Sequence, residues 1–357
     1  MLTSISLTGF KCFRNEQAFP LSKINILTGV NGRGKSSLLQ SLLIFSQTVS
    51  IDHSANAITL NGELINLGGF DDLKNIDISA DGSVDIMFEY DDLPSNSYAD
   101  IKYRLTKSYL NEELGQVEDD GVAKISSLIV SGSTQGRDFI YEGVDIDRLH
   151  NLLPSEIIEL DDWLKSEMTF MHTHYISADR MGPSSFHEAP IKTEFNTVGK
   201  RGENTANIIH KYRELDVNEE LRNSKAETYK LPDQLAAWIS HIFSGGTVKV
   251  DHIDHSLKKI MMNTDGTSRV FRPENVGFGY SYSLPIIVAG LTAQAGDILI
   301  VENPEAHLHP SAQSRLIRFL SLVAKSGIQV FIETHSQSVL NSSRIAIKSK
   351  EIGIEDL

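Results

Sequence analysis

The sequence predicts an α/β fold in which buried parallel strands carry functional residues at their carboxyl ends. Residues 24–28 read as a short strand, and a glycine-rich turn and an apolar helical segment follow it directly. Two later apolar runs, 297–301 and 329–332, are continuous, as in strands that are covered on both faces. The first run ends at Glu302 and the second leads to His335. In open α/β sheets, the carboxyl ends of such strands form the binding edge.

The glycine-rich turn at residues 29–36 has the spacing G-x-x-x-x-G-K-[ST]. Such a turn, between a strand and a helix, forms a nest of backbone N–H groups that binds phosphate. Lys35 would reach the β- and γ-phosphates, and the Ser36 hydroxyl would ligate Mg²⁺. The alternative is a surface glycine turn, which the correctly placed strand and helix disfavour. The expected nucleotide-binding residues here are Asn31, Gly32, Arg33, Gly34, Lys35, Ser36 and Ser37.

The remaining pattern predicts further strands and helices. Alternation of polar and apolar residues, typical of half-buried strands, occurs at 4–10 and 84–90, and shorter strand-like runs lie at 101–105, 127–130, 173–176, 247–252 and 269–272. Helical periodicity is present at 146–170, 206–213 and 233–243. We expect a solvated acidic loop at 112–120, an exposed helix or loop at 214–232 and a strand-like end at 344–357.

Composition limits the class of protein. The chain has 357 residues, 40% hydrophobic and 22% charged, and its formal net charge is −14. That charge argues against a surface devoted to nucleic acid, although a local basic groove formed by dimerisation stays possible. The sequence has no apolar run long enough to span a membrane. Its first residues also lack the pattern of a signal peptide. Cys12 is the only cysteine, so a disulfide framework is not expected and a reducing cytoplasm fits.

An acidic residue at the end of the strand predicted at 297–301 is a candidate metal ligand. Glu302 in that position would meet Mg²⁺, usually through water, beside Ser36. His307 and His309 resemble a metal-binding pair, but they have no cysteine or clear third ligand, and we favour a structural role.

Three segments together resemble one family. They are "TGFKCFRN" at 8–15 ahead of the glycine-rich turn, "ILIVENPEAHLHP" at 298–310 and "VFIETHS" at 330–336. Their order resembles the ABC-type ATPases of the OLD (overcoming lysogenization defect) and SMC-like group, many of which occur in prokaryotic anti-phage defence. The resemblance covers residues 1–48 and 270–345 well.

The resemblance implies an ABC-type P-loop ATPase head with a mixed central sheet, an antiparallel β subdomain and a helical insertion. A single ATPase domain would span 1–357, with core lobes near 1–145 and 247–357 and the insertion near 146–246. The family also implies ATP and Mg²⁺ as cofactors, and a head-to-tail dimer or higher oligomer. A signature segment of the neighbouring subunit then completes each site.

The candidate for that segment is 275–285, where glycines and a serine at the start of a helix would offer an anion site. We select Gly279 and Ser281 as its phosphate contacts, with Ser283 as the alternative. By the same resemblance, His335 would be the switch histidine that contacts the γ-phosphate. Gln40 or Gln47 would sense Mg²⁺ and the γ-phosphate.

The acidic pair departs from the family pattern. Most relatives carry Asp-Glu where this chain carries Glu302 and Asn303. Asn303 cannot accept a proton. Either Glu305 takes over as the carboxylate that polarises the attacking water, or water is only positioned and turnover is slow. The candidate catalytic residues are therefore Glu302, Glu305 and His335. We expect modest ATPase activity.

The resemblance also implies an effector protein such as a nuclease or toxin on another chain, since the sequence after His335 is too short for the nuclease domain of full OLD proteins. Two alternatives stay open: an ATP-gated scaffold or sensor with negligible turnover, and a DNA-repair ATPase. Arg180, Lys200 and Arg201 would reach phosphate or nucleic acid, or form surface salt bridges.

Overall fold

The computed structural model describes residues 1–93, 97–109, 118–132, 139–142, 149–154, 170–188, 196–252, 257–263 and 269–348. The chain forms two compact units. The N-terminal unit comprises residues 1–22 and 29–173, and the C-terminal unit comprises residues 23–28 and 174–357. Among the helices within the described ranges, none has both the length and the apolar character needed to cross a membrane.

The elements have the following bounds. The strands are β1 (Leu2–Thr8), β2 (Gln17–Pro20), β3 (Ile24–Leu27), β4 (Ala57–Thr59), β5 (Val84–Leu93), β6 (Ser97–Tyr109), β7 (Glu118–Gly132), β8 (Phe139–Glu142), β9 (Leu149–His150), β10 (Leu153–Pro154), β11 (Thr173–Ile176), β12 (Phe186–Glu188), β13 (Thr247–His252), β14 (Leu257–Asn263), β15 (Ile298–Glu302) and β16 (Gln329–Glu333). The α-helices are α1 (Lys35–Ile51), α2 (Phe70–Leu73), α3 (Thr205–Lys211), α4 (Leu231–Phe243), α5 (Phe278–Thr292), α6 (Pro310–Lys325) and α7 (Gln337–Lys348).

The N-terminal unit is built on an antiparallel sheet. Its strand order is β2-β1-β5-β6-β7-β4, and β8 pairs with β7. Aromatic rings fix helix α1 in this unit: the Phe45 ring lies 5.0 Å from that of Phe88, 4.7 Å from Tyr103 and 5.2 Å from Phe170. The contacts with Phe88 and Tyr103 are edge-to-face, an arrangement that stabilises beyond area burial alone. The helix that begins at Lys35 is therefore anchored ten residues later.

The C-terminal unit contains the parallel sheet that the sequence predicts. Its order is β11-β15-β16-β3, and β15, β16 and β3 run parallel. Register pairs Glu302 with Glu333 and Glu333 with Leu27, so these strands end at one edge. The helices α3 to α7 supply buried side chains to the core of this unit, where the Trp238 and Phe319 rings lie 4.9 Å apart. A separate antiparallel sheet has the order β12-β14-β13.

Most predicted elements are confirmed: the strands at 24–28, 84–90, 101–105, 127–130, 173–176, 247–252 and 297–301, and the helices at 206–213 and 233–243. Strand β14 is missing from the prediction, and at 269–272 only Phe271 forms an isolated bridge, to Met262. Within the predicted helix 146–170, residues 149–154 contain the short strands β9 and β10 instead, while 146–148 and 155–169 lie outside the described residues.

Two loop and end predictions are also corrected, whereas the predicted exposed segment 214–232 is largely confirmed. The strand-like end at 344–357 is wrong as far as the structure describes it, because α7 continues to Lys348. Buried Val339 and Ala346 are seven residues apart, which is a helical spacing, and Ile345 is exposed. Residues 118–120 belong to strand β7 rather than to an acidic loop, while 112–117 lie outside the described part. Segment 214–232 contains a 3₁₀ turn at Glu219–Leu221 with a buried Leu221.

Candidate active site

The glycine-rich turn of the N-terminal unit depends on backbone angles that glycine adopts easily. Gly29, Gly32 and Gly34 have φ values of 129°, 75° and 89°. These lie in the region that a Cβ disfavours. At Gly34 space is also limiting, since a Cβ there would lie 2.3 Å from Phe13 Cζ and 2.9 Å from Cys12 Sγ. Gly34 is the N-cap residue of α1 and gives the helix no side-chain cap. The first-turn N–H groups of a helix can bind an anion at such an end.

Lys35 lies within this turn. Its Nζ donates hydrogen bonds to the carbonyl oxygens of Gly29, at 2.9 Å, and Val30, at 3.1 Å. Phosphate oxygens could replace these carbonyl oxygens as hydrogen-bond acceptors of the ammonium group. Their negative charge would make those hydrogen bonds stronger. The other residues predicted to contact nucleotide lie on the same turn or the first turn of α1: Asn31, Gly32, Arg33, Ser36 and Ser37, of which all but Ser37 are exposed.

In the C-terminal unit, both carboxylate oxygens of Glu302 are held by strand β11 and the residues directly after it. The hydroxyl of Tyr175 donates to Oε1 at 2.9 Å, and the backbone N–H of Ala178 donates to Oε2 at 2.9 Å. Burial, and next the negative charge of Glu302, raise the pKa of Tyr175, so this phenol stays protonated as a donor. The carboxylate that the sequence assigns to Mg²⁺ is thus fixed in orientation.

Asn303 begins a tight turn after β15. Its φ is 44°, and its N–H donates to the carbonyl oxygen of Glu333 at 2.7 Å. Asparagine tolerates this left-handed region better than most side chains. Asn303, which replaces the usual acidic residue of the family pattern, therefore suits the positive φ at this position.

Glu305 and His335 come together at the ends of β15 and β16. Oε1 of Glu305 accepts hydrogen bonds from Thr334 Oγ1, at 2.7 Å, and from the N–H of His335, at 3.2 Å. Oε2 is buried and has no hydrogen-bond partner. A buried carboxylate oxygen without a donor is costly unless a ligand or water completes it. The His335 side chain is exposed.

The first turn of α5 approaches the turn after Asn303. A Cβ on Gly279 would lie 2.8 Å from the carbonyl oxygen of His307 and 2.9 Å from Leu308 Cδ2. Glycine is therefore required for this close approach. Ser281 Oγ and Ser283 Oγ are buried without hydrogen-bond partners. The predicted helix start at the 275–285 segment is confirmed, with Gly277 as the N-cap residue.

Several other candidates take structural roles. Gln47 donates from Nε2 to the Thr59 carbonyl oxygen at 2.8 Å and accepts from the Ile65 N–H at 3.1 Å, so it is bound inside the N-terminal unit. Nδ1 of His309 accepts from the Ser311 N–H at 3.3 Å and caps α6. Across the described ranges, groups of three or more metal-binding side chains are not found.

The structure shows the surroundings of two of the three basic residues that were candidates for phosphate or nucleic-acid contact, Arg180 and Arg201. Arg180 is only 2% exposed, so the expectation of a surface salt bridge or a direct nucleic-acid contact is wrong. Arg201 forms the expected surface salt bridge, with its Nε 3.3 Å from Asp179 Oδ2. Sequence reasoning missed the partners Tyr175 and Thr334, because they approach their glutamates from distant positions in the chain.

Comparison with known proteins identifies the family. The AAA ATPase domain pattern matches residues 1–340. UvrABC system protein A of Staphylococcus epidermidis is 22% identical over 91% of this chain and 28% of its own length. The Old nuclease of Escherichia phage P2 is 22% identical over 97% of this chain and 58% of its own length. The chain thus spans less than two thirds of either relative.

A solved structure supports the fold. The Smc head domain with an extended coiled coil, bound to the C-terminal domain of ScpA derived from Pyrococcus furiosus, matches with a TM-score of 0.50 and 13% identity. The match covers 96% of this chain and 91% of that chain. The chain therefore belongs to the AAA ATPase domain family, and it is similar to P-loop ATPases of the OLD-like and SMC-like ABC type.

Proposed function

We propose that the protein binds ATP with Mg²⁺, hydrolyses it slowly and dimerises head-to-tail around it. The observation that carries this proposal is the sheet edge of the C-terminal unit, where Glu302, Glu305 and His335 follow parallel strands. The strand β3 ends in register with them at Leu27, and Gly29 follows two residues later in the chain. Carboxylates at the ends of parallel strands, in a chain whose sequence continues from one such strand into a phosphate-binding motif, fit phosphoryl chemistry.

We assign the residues on their chemistry and motif order. The backbone N–H groups of the glycine-rich turn and the ammonium group of Lys35 bind the phosphates. Mg²⁺ prefers hard oxygen donors, and the Ser36 hydroxyl and the Glu302 carboxylate are of that kind. Bound there, Mg²⁺ would neutralise phosphate charge. Tyr175 and Ala178 keep Glu302 oriented for this role.

Glu305 is our candidate for the group that accepts the proton of the attacking water. Its Oε2 has no hydrogen-bond donor, whereas Oε1 is already held by Thr334 and His335. Asn303 has no basic oxygen and can only orient water. Glu305 would then be the only base, and its side chain is fixed at Oε1, which supports slow turnover. Bound ATP would stabilise the closed dimer as much as supply energy.

The N-terminus of α5 supports the proposed dimerisation, because it could complete the ATP site of a second copy. The α5 N-terminus offers backbone N–H groups after Gly277, and Phe278 beside them is 52% exposed. We propose that Gly279 and Ser281 contact the γ-phosphate bound by a second copy. Contacts that exist only with ATP would favour the closed dimer, and hydrolysis would release it.

We further propose a cytoplasmic role in which the ATP state regulates a partner effector, such as a nuclease or toxin in anti-phage defence. Membership of the AAA ATPase domain family and the similarity to the Old nuclease support this reading. A DNA-repair ATPase is the second candidate, and the similarity to UvrABC system protein A favours it. Stimulation of ATP hydrolysis by duplex DNA would separate the second candidate from the first.

The test is steady-state ATP hydrolysis by the wild type and by Glu302→Gln, Glu305→Gln and Asn303→Glu. We expect slow turnover by the wild type, loss in both glutamine variants and a gain in Asn303→Glu. Because Asn303 has a positive φ, a glutamate there also costs about 1 kcal/mol in backbone strain. Asn303→Gly, which suits that φ and adds no acid, is the matched control. Equal fast rates for the wild type and the three variants would overturn the assignment.

A further inference from the structure

Arg180 is a buried arginine whose hydrogen bonds join three segments of the C-terminal unit. It follows β11 and donates from Nε to the Ser177 carbonyl oxygen at 3.0 Å. Its Nη1 donates to the Tyr282 carbonyl oxygen, in the first turns of α5, at 3.1 Å. Its Nη2 donates to the carbonyl oxygens of Glu302 and of Asn303, the latter at 2.7 Å. Every one of these acceptors is a main-chain oxygen.

The guanidinium group is held in place by its surroundings as well as by these bonds. Its Cζ lies 5.4 Å from the centre of the Tyr282 ring, within range of a cation–π contact. Burial lowers the pKa of Arg180 to about 10, and Tyr282, Glu305 and Glu302 partly offset that effect. The group is still charged at neutral pH. A buried charge is tolerated only when its donors are satisfied, so its position is strongly determined.

Two of the three segments that Arg180 joins are the proposed functional segments of this unit. Glu302 and Asn303 form the acidic turn of the chain's own ATP site, whereas α5 would contact the ATP of a second copy. Resting on the proposed function, we infer that Arg180 is a positioning residue that couples the first turns of α5 to the acidic turn. Formation of the contact with the partner's ATP then adjusts the backbone that carries Glu302.

The planar fork of arginine explains why lysine would not replace it. The donors Nε, Nη1 and Nη2 reach carbonyls on three different segments. The Lys ammonium group carries the same charge on one nitrogen and cannot span them. Arg180→Lys therefore keeps the buried charge but breaks the bridge between α5 and the acidic turn.

The experiment measures kcat and KM for ATP in Arg180→Lys, the wild type and Arg201→Lys. Arg201 is the matched control, because it is an arginine that contacts Asp179, the residue before Arg180, and its side-chain hydrogen bond and ion pair go to Asp179 rather than to Glu302 or Asn303. We expect kcat to fall about tenfold or more in Arg180→Lys with KM changed by less than about twofold, because orientation and not ATP binding is lost. Arg201→Lys should keep both constants.

A second readout follows the coupling without depending on turnover. Hydrogen exchange in peptides covering 278–284 and 302–306 should become faster in both segments in Arg180→Lys and in neither in Arg201→Lys. An unchanged kcat in Arg180→Lys beside an active wild type would overturn the inference, as would a change in exchange confined to one segment. An inactive wild type would contradict the proposed function instead, and hydrogen exchange would still decide the role of Arg180.

Discussion

The hydroxyl of Tyr175 offers a direct test of how Glu302 is oriented. Tyr175→Phe removes one oxygen atom that donates to Glu302 Oε1 at 2.9 Å and leaves the ring in place. A hydrogen bond to a charged group contributes about 1.5–3 kcal/mol. Glu302 is partly accessible to water, which replaces part of the bond, so we take the lower end of that range. About 1.5 kcal/mol corresponds to about a tenfold change in an equilibrium constant.

The expected result is about a tenfold rise in the Mg²⁺ concentration that gives half-maximal ATP hydrolysis, since groups that orient a metal ligand affect metal affinity on that scale. The assay is a Mg²⁺ titration of the hydrolysis rate at saturating ATP. Tyr103→Phe is the control, because the Tyr103 hydroxyl is also buried and donates at 3.1 Å, but to the neutral carbonyl oxygen of Leu152. It should lose stability and keep its Mg²⁺ requirement.

Two results would refute this reasoning. An unchanged or lower Mg²⁺ requirement in Tyr175→Phe would mean that Glu302 does not need this donor. An equal shift in Tyr103→Phe would show that any lost phenol hydroxyl has the same effect, and that the change reports general loosening of the fold.

The remaining predictions concern the two halves of the proposed composite site. Lys35→Ala should weaken binding of a fluorescent ATP analogue at least about tenfold, because a charge-assisted contact to phosphate is lost; unchanged affinity would contradict the role of Lys35. Gly279→Ala should keep analogue binding and lose ATP-dependent dimerisation, measured by light scattering after size-exclusion chromatography. The reason is that its new Cβ would meet the His307 carbonyl oxygen at 2.8 Å and displace the first turn of α5; normal dimerisation would exclude that reason.

Local pattern was enough to predict the strands and helices that carry the motifs. Strand β3, the glycine-rich turn and α1 follow one another within about thirty residues, and each has a clear periodicity or spacing. Strand β15 and the segment after it were predicted for the same reason. Glu302, Glu305 and His335 then share an edge because parallel strands in register end together.

The side-chain partners could not be predicted from local pattern. Tyr175 and Glu302 are 127 positions apart, and their contact has no periodic signature. Arg180 looks like a surface residue in the sequence, and only the tertiary fold places carbonyl oxygens around it. The end of the chain was misread because Ile345 and Ile347 alternate with other residues as in a strand, whereas packing of Val339 and Ala346 selects a helix.

A mixing experiment tests the central claim, that each ATP site is shared between two copies, most directly. Lys35→Ala and Gly279→Ala disable opposite halves of the proposed site, so each heterodimer keeps one intact site. Equal mixing should restore hydrolysis to at most about half of the wild-type rate, because only the mixed dimers keep an intact site and one of their two sites works.

The control mixes Lys35→Ala with Glu302→Gln, which disable the same half and should restore nothing. Recovery in the first mixture alone is the result that a head-to-tail composite site predicts. Equal recovery in both mixtures, or recovery in neither from parents that are folded and inactive alone, would contradict it.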